Sequence, residues 1–139
     1  MKRDIEQIRE ILVQYFQKDR PEIEVAYIFG SVAQETSNLL SDIDIAVILN
    51  EKQIDERLYS YGYKADLLAD LIKILKTNEV DLVILNQVNS LLRHRVLYFG
   101  KLLYSKNEKK RIQFQIDTIN KYDDFKQLTK PHLAARRAK

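Results

Sequence analysis

The segment 29-FGSVAQETSNLLSDIDIAVIL-49 joins a Gly-Ser pair at residues 30 and 31, ten intervening residues, and an Asp-Ile-Asp triplet that leads into an apolar run. In a strand, Asp42 and Asp44 point to one face, roughly 6–7 Å apart, while Ile43 and Ile45 point to the other. A carboxylate is costly to desolvate unless it is paired or binds a cation. The segment therefore predicts a buried strand with an acidic site at its start.

A third carboxylate lies in a second apolar segment, 79-EVDLVIL-85, where Asp81 interrupts a β-favouring run. If this strand is a neighbour of strand 42–49, Asp81 faces the same site. The chain has no cysteine and only two histidines, so the ligands are oxygens, which suit Mg²⁺ or Mn²⁺ rather than zinc. Three such carboxylates can hold two ions about 3.5–4 Å apart, as in phosphoryl transfer. Asp81 can also accept the proton of an attacking hydroxyl.

Gly30 and Ser31 offer the complementary half of such a site. A glycine lets a phosphate approach the backbone closely, and a helix that begins there presents N–H donors, to which Ser31 adds a hydroxyl. Alone, a Gly-Ser pair is common in turns, and an Asp-x-Asp pair is common as a turn or helix cap. In combination with Asp81 they favour metal-dependent phosphoryl or nucleotidyl transfer.

Hydrophobic periodicity predicts a single α/β (α+β) domain over residues 1–139, with a small mixed β-sheet flanked by helices. The expected order is helix, strand, strand, helix, strand, helix, short strand, helix. The corresponding segments are helix 5–16, strands 24–30 and 42–49, helix 64–76, strand 79–85, helix 90–100, strand 101–104, and a last helix with an apolar face from 112 to 125. Most tyrosines are expected in the core or on the surface; those of 59-YSYGY-63 are expected in a polar-aromatic loop, for which contact with a partner or a base is the less favoured role.

Composition limits the setting of the protein. The formal net charge of +3 does not by itself imply nucleic acid, and no direct nucleic-acid partner is expected. No apolar run exceeds five residues, so no membrane-spanning helix is expected. The charged N-terminal segment and the lack of cysteine favour a cytoplasmic protein. The basic segment 130-KPHLAARRAK-139 is either a solvated, flexible tail or a surface for an acidic partner or a phosphate-bearing ligand.

The spacing Gly-Ser-x10-Asp-x-Asp, followed by the "VDLVIL" strand, resembles the signature of polymerase-β-like nucleotidyltransferases, and specifically the minimal nucleotidyltransferase (MNT) group. The segment 91-LLRHRVLYFGKLLY-104 is similar to the helix–glycine–strand unit that follows in MNT proteins. The resemblance spans residues 24–104. It implies a polymerase-β-like nucleotidyltransferase fold.

The resemblance also implies a function. MNT proteins use ATP and two Mg²⁺ ions, which assigns the metal-binding, catalytic role to Asp42, Asp44 and Asp81 and phosphate contact to Gly30 and Ser31. They are typically encoded with a HEPN-domain ribonuclease toxin. The implied activity is that of an antitoxin in a type VII-like toxin–antitoxin system, which transfers AMP to a tyrosine of the toxin and blocks its RNase site.

Two alternatives stay open. A small-molecule nucleotidyltransferase would borrow its acceptor pocket across a dimer interface, because only about 35 residues follow Tyr104. The other alternative is a catalytically weak protein that binds the toxin stoichiometrically. Many MNT relatives carry an arginine shortly after the Gly-Ser pair, whereas this chain has Val32, Ala33 and Gln34.

Overall fold

A computed structural model describes residues 4–33 and 42–129. They form five α-helices and four strands in the predicted order, with a short helix added after the first strand. The elements are α1 (Ile5–Asp19), β1 (Ile23–Phe29), α2 (Gly30–Ala33), β2 (Ile43–Leu49), α3 (Tyr63–Leu75), β3 (Val80–Ile84), α4 (Ser90–Phe99), β4 (Lys101–Ser105) and α5 (Glu108–Thr129). The basic segment 130–139, predicted as a tail, lies outside the described residues.

The four strands form one mixed sheet in the order β3-β2-β1-β4. β1 runs antiparallel to β2 and to β4, whereas β2 and β3 are parallel and are joined through α3. A parallel pair needs such a crossover because a tight turn cannot return the chain to the same end. The predicted fold class, a small mixed sheet flanked by helices, is confirmed.

Helices cover both faces of the sheet, which explains why the central strands are almost wholly apolar. On one face, Ile45 and Val47 of β2 belong to the core that contains Leu12 of α1 and Leu67 of α3. On the other face a smaller core joins the strands to α4 and α5; its buried members are Val25, Tyr27, Ala46, Ile48, Leu85 and Val96, with Phe114 packed against them. No helix in the described part of the chain is long and apolar enough to cross a membrane.

A buried arginine joins α1 to α3. The guanidinium of Arg20, whose side chain is 7% exposed, donates to the carboxylates of Asp66 and Asp70 at 2.6 and 2.8 Å and to the Tyr15 hydroxyl at 2.7 Å. It also lies 3.5 Å from the carboxylate of Glu22, which is 10% exposed. Buried charges are tolerated only when they are paired in this way.

The expectation for the tyrosine-rich segment is partly wrong. Tyr61 is exposed, but Tyr63 is buried, begins α3 and donates its hydroxyl to Glu22. Its ring meets that of Tyr59 edge-on, with centroids 5.3 Å apart. The backbone turns into a helix at Gly62, which has φ +88°, so the aromatic ring after this glycine enters the core and is not available to a partner.

The first prediction concerns the Arg20 cluster. We expect Arg20→Ala to lower the free energy of unfolding by about 3 kcal/mol, because the variant leaves Glu22 buried without its cation. Urea denaturation at neutral pH measures the change. Arg57→Ala is the control, because the Arg57 side chain is 90% exposed and its pair with Asp55 is a surface pair. Equal urea midpoints for the two variants would contradict a structural role for the cluster.

Candidate active site

The turn between β1 and α2 is built around Gly30. This residue has φ +75°, in the left-handed region that favours glycine. A Cβ atom on Gly30 would lie 2.1 Å from Oδ2 of Asp44, so no other residue fits without displacing that carboxylate. A helix begins at Gly30, where the sequence allowed a helix start, but it is only four residues long and has Ser31 as its second residue. Phosphate contact by Gly30 and Ser31 stays a prediction.

Parallel pairing of β2 with β3 brings two of the predicted aspartates together. Asp44 is the direct register partner of Asp81, and on its other side it is the partner of Phe29 in β1. Directly opposed residues on neighbouring strands share a face of the sheet. Asp44 and Asp81 therefore lie on the α4/α5 face, and Asp42 lies one residue before β2 begins.

The three carboxylates influence one another electrostatically. Burial, together with the negative charges of Asp81 and then of Asp42, raises the pKa of Asp44 to about 6. Asp42 and Asp81 are exposed, whereas Asp44 is half-buried. A carboxylate with a raised pKa beside two others is a group that lacks a cationic neighbour.

The side chains are near one another but do not form a closed metal cage. Across residues 4–33 and 42–129, no three acidic or histidine side chains are arranged to surround one ion. Oδ1 of Asp81 accepts a hydrogen bond from the backbone N–H of Leu82 at 3.0 Å, which leaves its other oxygen for further contacts. Oxygen donors from two adjacent strands still fit the chemistry of Mg²⁺ or Mn²⁺, because a bound cation would relieve the repulsion between the converging carboxylates.

A cavity of about 430 Å³ opens beside Gly30, between the end of β1 and α4. Its lining is Phe29, Gly30, Leu92, Arg95, Val96 and Phe99. Arg95 and Phe99 were not predicted as site residues, because they lie more than 60 residues after the Gly-Ser pair in the sequence. Their i, i+4 spacing on the helix after the third aspartate was the signal available, since such residues share a helix face.

Comparison with known proteins finds a matching family model, a similar relative and similar folds. A family model described as "Polymerase beta, Nucleotidyltransferase" matches residues 6–109, which is more than half of the chain. A relative from Shewanella oneidensis, named protein adenylyltransferase MntA, is 27% identical over 111 residues, which cover 80% of this chain and 74% of the relative.

The similarity to solved structures covers nearly the whole chain. One, a toxin–antitoxin complex with AMP-PNP, matches with a TM-score of 0.71 and 25% identity, covering 94% of this chain and 98% of that one. Another, a tri-AMPylated Shewanella oneidensis HEPN toxin in complex with MNT antitoxin, matches with a TM-score of 0.67 and 22% identity, covering 97% and 99%. The second likeness establishes the fold alone.

The site generates a prediction about stability. Since the folded-state pKa of Asp44 is raised to about 6 from an ordinary value near 4, its ionised form destabilises the fold as pH rises through this window. We expect Asp44→Asn to raise the free energy of unfolding at pH 8 without divalent ions by roughly 1–2 kcal/mol, after allowance for solvent screening. The gain should vanish as the pH falls toward 4.

Thermal unfolding with and without Mg²⁺ measures this effect. Mg²⁺ should stabilise the wild-type protein more than Asp44→Asn, because the variant lacks one anionic ligand. Asp55→Asn is the matched control, since the Asp55 carboxylate is paired with Arg57 and its pKa is lowered. An Asp44→Asn variant that is less stable than wild type at pH 8 without Mg²⁺ would overturn the electrostatic account.

Proposed function

Because the chain belongs to the polymerase β nucleotidyltransferase family, we propose that it is a magnesium-dependent protein adenylyltransferase. It transfers AMP from ATP to a tyrosine of a HEPN-domain ribonuclease and acts as the antitoxin of that toxin in the cytoplasm. The observation that carries the proposal is the register pairing of Asp44 with Asp81 beside Gly30. The relative named protein adenylyltransferase and the fold shared with toxin–antitoxin complexes support it.

Asp42, Asp44 and Asp81 are the residues that would hold two Mg²⁺ ions. When bound, Mg²⁺ neutralises phosphate charge and polarises the phosphorus. The protein's own task is to fix the carboxylates. Hydrogen bonding along two neighbouring strands sets the separation of Asp44 from Asp81, and contact with Gly30 sets the position of the Asp44 carboxylate.

The transfer step is a displacement at the α-phosphorus of ATP. The tyrosine oxygen of the acceptor attacks, the bond from the α-phosphorus to the bridging oxygen breaks, and pyrophosphate leaves. The phenolic proton passes to the free oxygen of Asp81, whose other oxygen is already held by the N–H of Leu82. Gly30 and Ser31 contact the departing phosphates at the start of α2.

The position of the site favours a macromolecular acceptor. β3 is an edge strand, and Asp42 and Asp81 are exposed, so the carboxylates are accessible from the edge of the sheet. In the described residues, a single helix, α5, follows β4. A hydroxyl carried on the surface of another protein can reach such an open site without a dedicated substrate pocket.

The test combines a HEPN-domain partner, labelled ATP and Mg²⁺. We expect Asp42→Asn and Asp44→Asn each to reduce AMP transfer at least about 100-fold, because each removes an anionic metal ligand. Asp55→Asn, a surface carboxylate away from the site, should transfer AMP at the wild-type rate. Wild-type labelling by either site variant would refute the assignment.

The two alternative functions give different outcomes in the same assay. A stoichiometric binding protein would neutralise the ribonuclease equally well as the Asp42→Asn/Asp44→Asn double variant, without label on the partner. A small-molecule nucleotidyltransferase would transfer AMP to a drug or sugar with no protein acceptor present. Either result would replace the proposal.

The close contact between Gly30 and Asp44 gives a further prediction about activity. Gly30→Ala should abolish AMP transfer, because the new Cβ meets Oδ2 of Asp44 at 2.1 Å and displaces the carboxylate. Gly62→Ala is a matched control: Gly62 also has positive φ, but the nearest atom to its added Cβ is 3.8 Å away. Both variants carry backbone strain of about 1–2 kcal/mol or more. Equal activities at a temperature where both are folded would contradict the role of the Gly30–Asp44 contact.

A further inference from the structure

The cavity beside Gly30 has one charged side chain in an otherwise apolar lining. Phe29, Leu92, Val96 and Phe99 supply its apolar surface, and Arg95 supplies the cation. Because Gly30 lines the cavity and also lies against the Asp44 carboxylate, the cavity and the acidic site adjoin at this glycine. Its volume of about 430 Å³ lies in the range of small-molecule sites.

Two arginines of α4 have different surroundings. Arg93 donates to the backbone carbonyls of Leu85 and Asn86 at 2.7 and 3.0 Å and lies over the ring of Phe114 at 4.8 Å, so it holds α4 to the segment after β3 and to α5. The exposed guanidinium of Arg95 makes no hydrogen bond or ion pair within residues 4–33 and 42–129. Arg95 therefore has no structural task of the kind that occupies Arg93.

Charge balance at the acidic site calls for a cation from the protein. ATP carries about four negative charges and Asp42, Asp44 and Asp81 add three, of which two bound Mg²⁺ ions would balance four, so about three remain. The first turn after β1, Gly30–Ala33, has the sequence GSVA and contains no basic residue. Of the residues that line the cavity next to this turn, Arg95 is the cation. Its planar fork suits phosphate oxygens.

We propose that Arg95 is a nucleotide-positioning residue, whose guanidinium binds the phosphate chain of ATP from α4 while the purine ring lies in the apolar cavity against Phe99. The inference rests on the proposed nucleotidyl transfer and names the nucleotide subsite for it. Residues four apart share one helix face, so Arg95 and Phe99 reach neighbouring parts of one ligand. Phe99 is 54% exposed, and its ring meets that of Tyr98 edge-on. Because Phe99 also lines the cavity, it supplies aromatic surface there.

The test separates phosphate binding from base binding. Calorimetry measures the Kd of a non-hydrolysable ATP analogue. The Kd of adenosine is measured by its competition with that analogue. We expect Arg95→Gln to weaken the analogue about 10- to 100-fold, the range of a charge-assisted hydrogen bond, and to leave adenosine unchanged. Arg95→Lys should recover part of the loss. Phe99→Ala should weaken both ligands by a similar factor, of roughly tenfold.

Transfer kinetics supply a second readout. Arg95→Gln should raise KM for ATP by a factor like that in Kd and change kcat little, a split that a folding defect would not produce. Arg57→Gln removes another exposed arginine, far in sequence from the cavity, and should match wild type. An analogue Kd within twofold of wild type in Arg95→Gln, or equal losses for analogue and adenosine, would overturn the phosphate assignment.

The role of Arg95 and the proposed function can be contradicted independently of each other. If wild type transfers AMP, Asp44→Asn does not, and Arg95→Gln binds nucleotide normally, the proposed function stands and the role of Arg95 is wrong. If nucleotide binding depends on Arg95 but wild type labels no protein, the subsite stands and the proposed acceptor is wrong.

Discussion

The separation of Asp44 from Asp81 is the constraint on which the site depends. These carboxylates come from strands that are distant in sequence, and they are register partners because β2 and β3 run parallel with α3 as the crossover. A one-residue shift of this register would turn one carboxylate toward the α1/α3 core, where an unpaired charge is not tolerated. Core packing on one face of the sheet thereby determines the geometry of the acidic site on the other.

Gly30 connects this acidic pair to the rest of the site. It ends β1, begins α2, touches the Asp44 carboxylate and lines the cavity under α4. A side chain at this position would fill the space between the carboxylate and the turn. The pKa of Asp44 is raised because its carboxylate is partly buried beside those of Asp81 and Asp42. A carboxylate in this position favours either a proton or a cation. Without a ligand, the folded protein is therefore less stable than it would be with a neutral side chain in place of Asp44. Such a loss of stability is common at functional sites.

The sequence was sufficient for the parts that depend on local patterns. Apolar runs and helical periodicity predicted the order of elements. Asp81 was expected at the same site only if its strand lay beside β2, and the structure shows that pairing. Features that depend on packing between distant segments could not be predicted. Arg20 pairs with carboxylates 46 and 50 residues away, and Tyr63 enters the core because α3 begins there. Arg95 lines the cavity with Phe29 and Gly30 because α4 packs beside β1, a contact between segments that are distant in sequence.

Crystals grown with Mn²⁺ and a non-hydrolysable ATP analogue would test the central claim most directly, because Mn²⁺ is located by its anomalous scattering. The account predicts anomalous density within about 2–2.5 Å of carboxylate oxygens from both Asp44 and Asp81, next to the phosphates of the analogue. Anomalous density elsewhere on the surface, with nucleotide bound away from Gly30 and these two carboxylates, would contradict it.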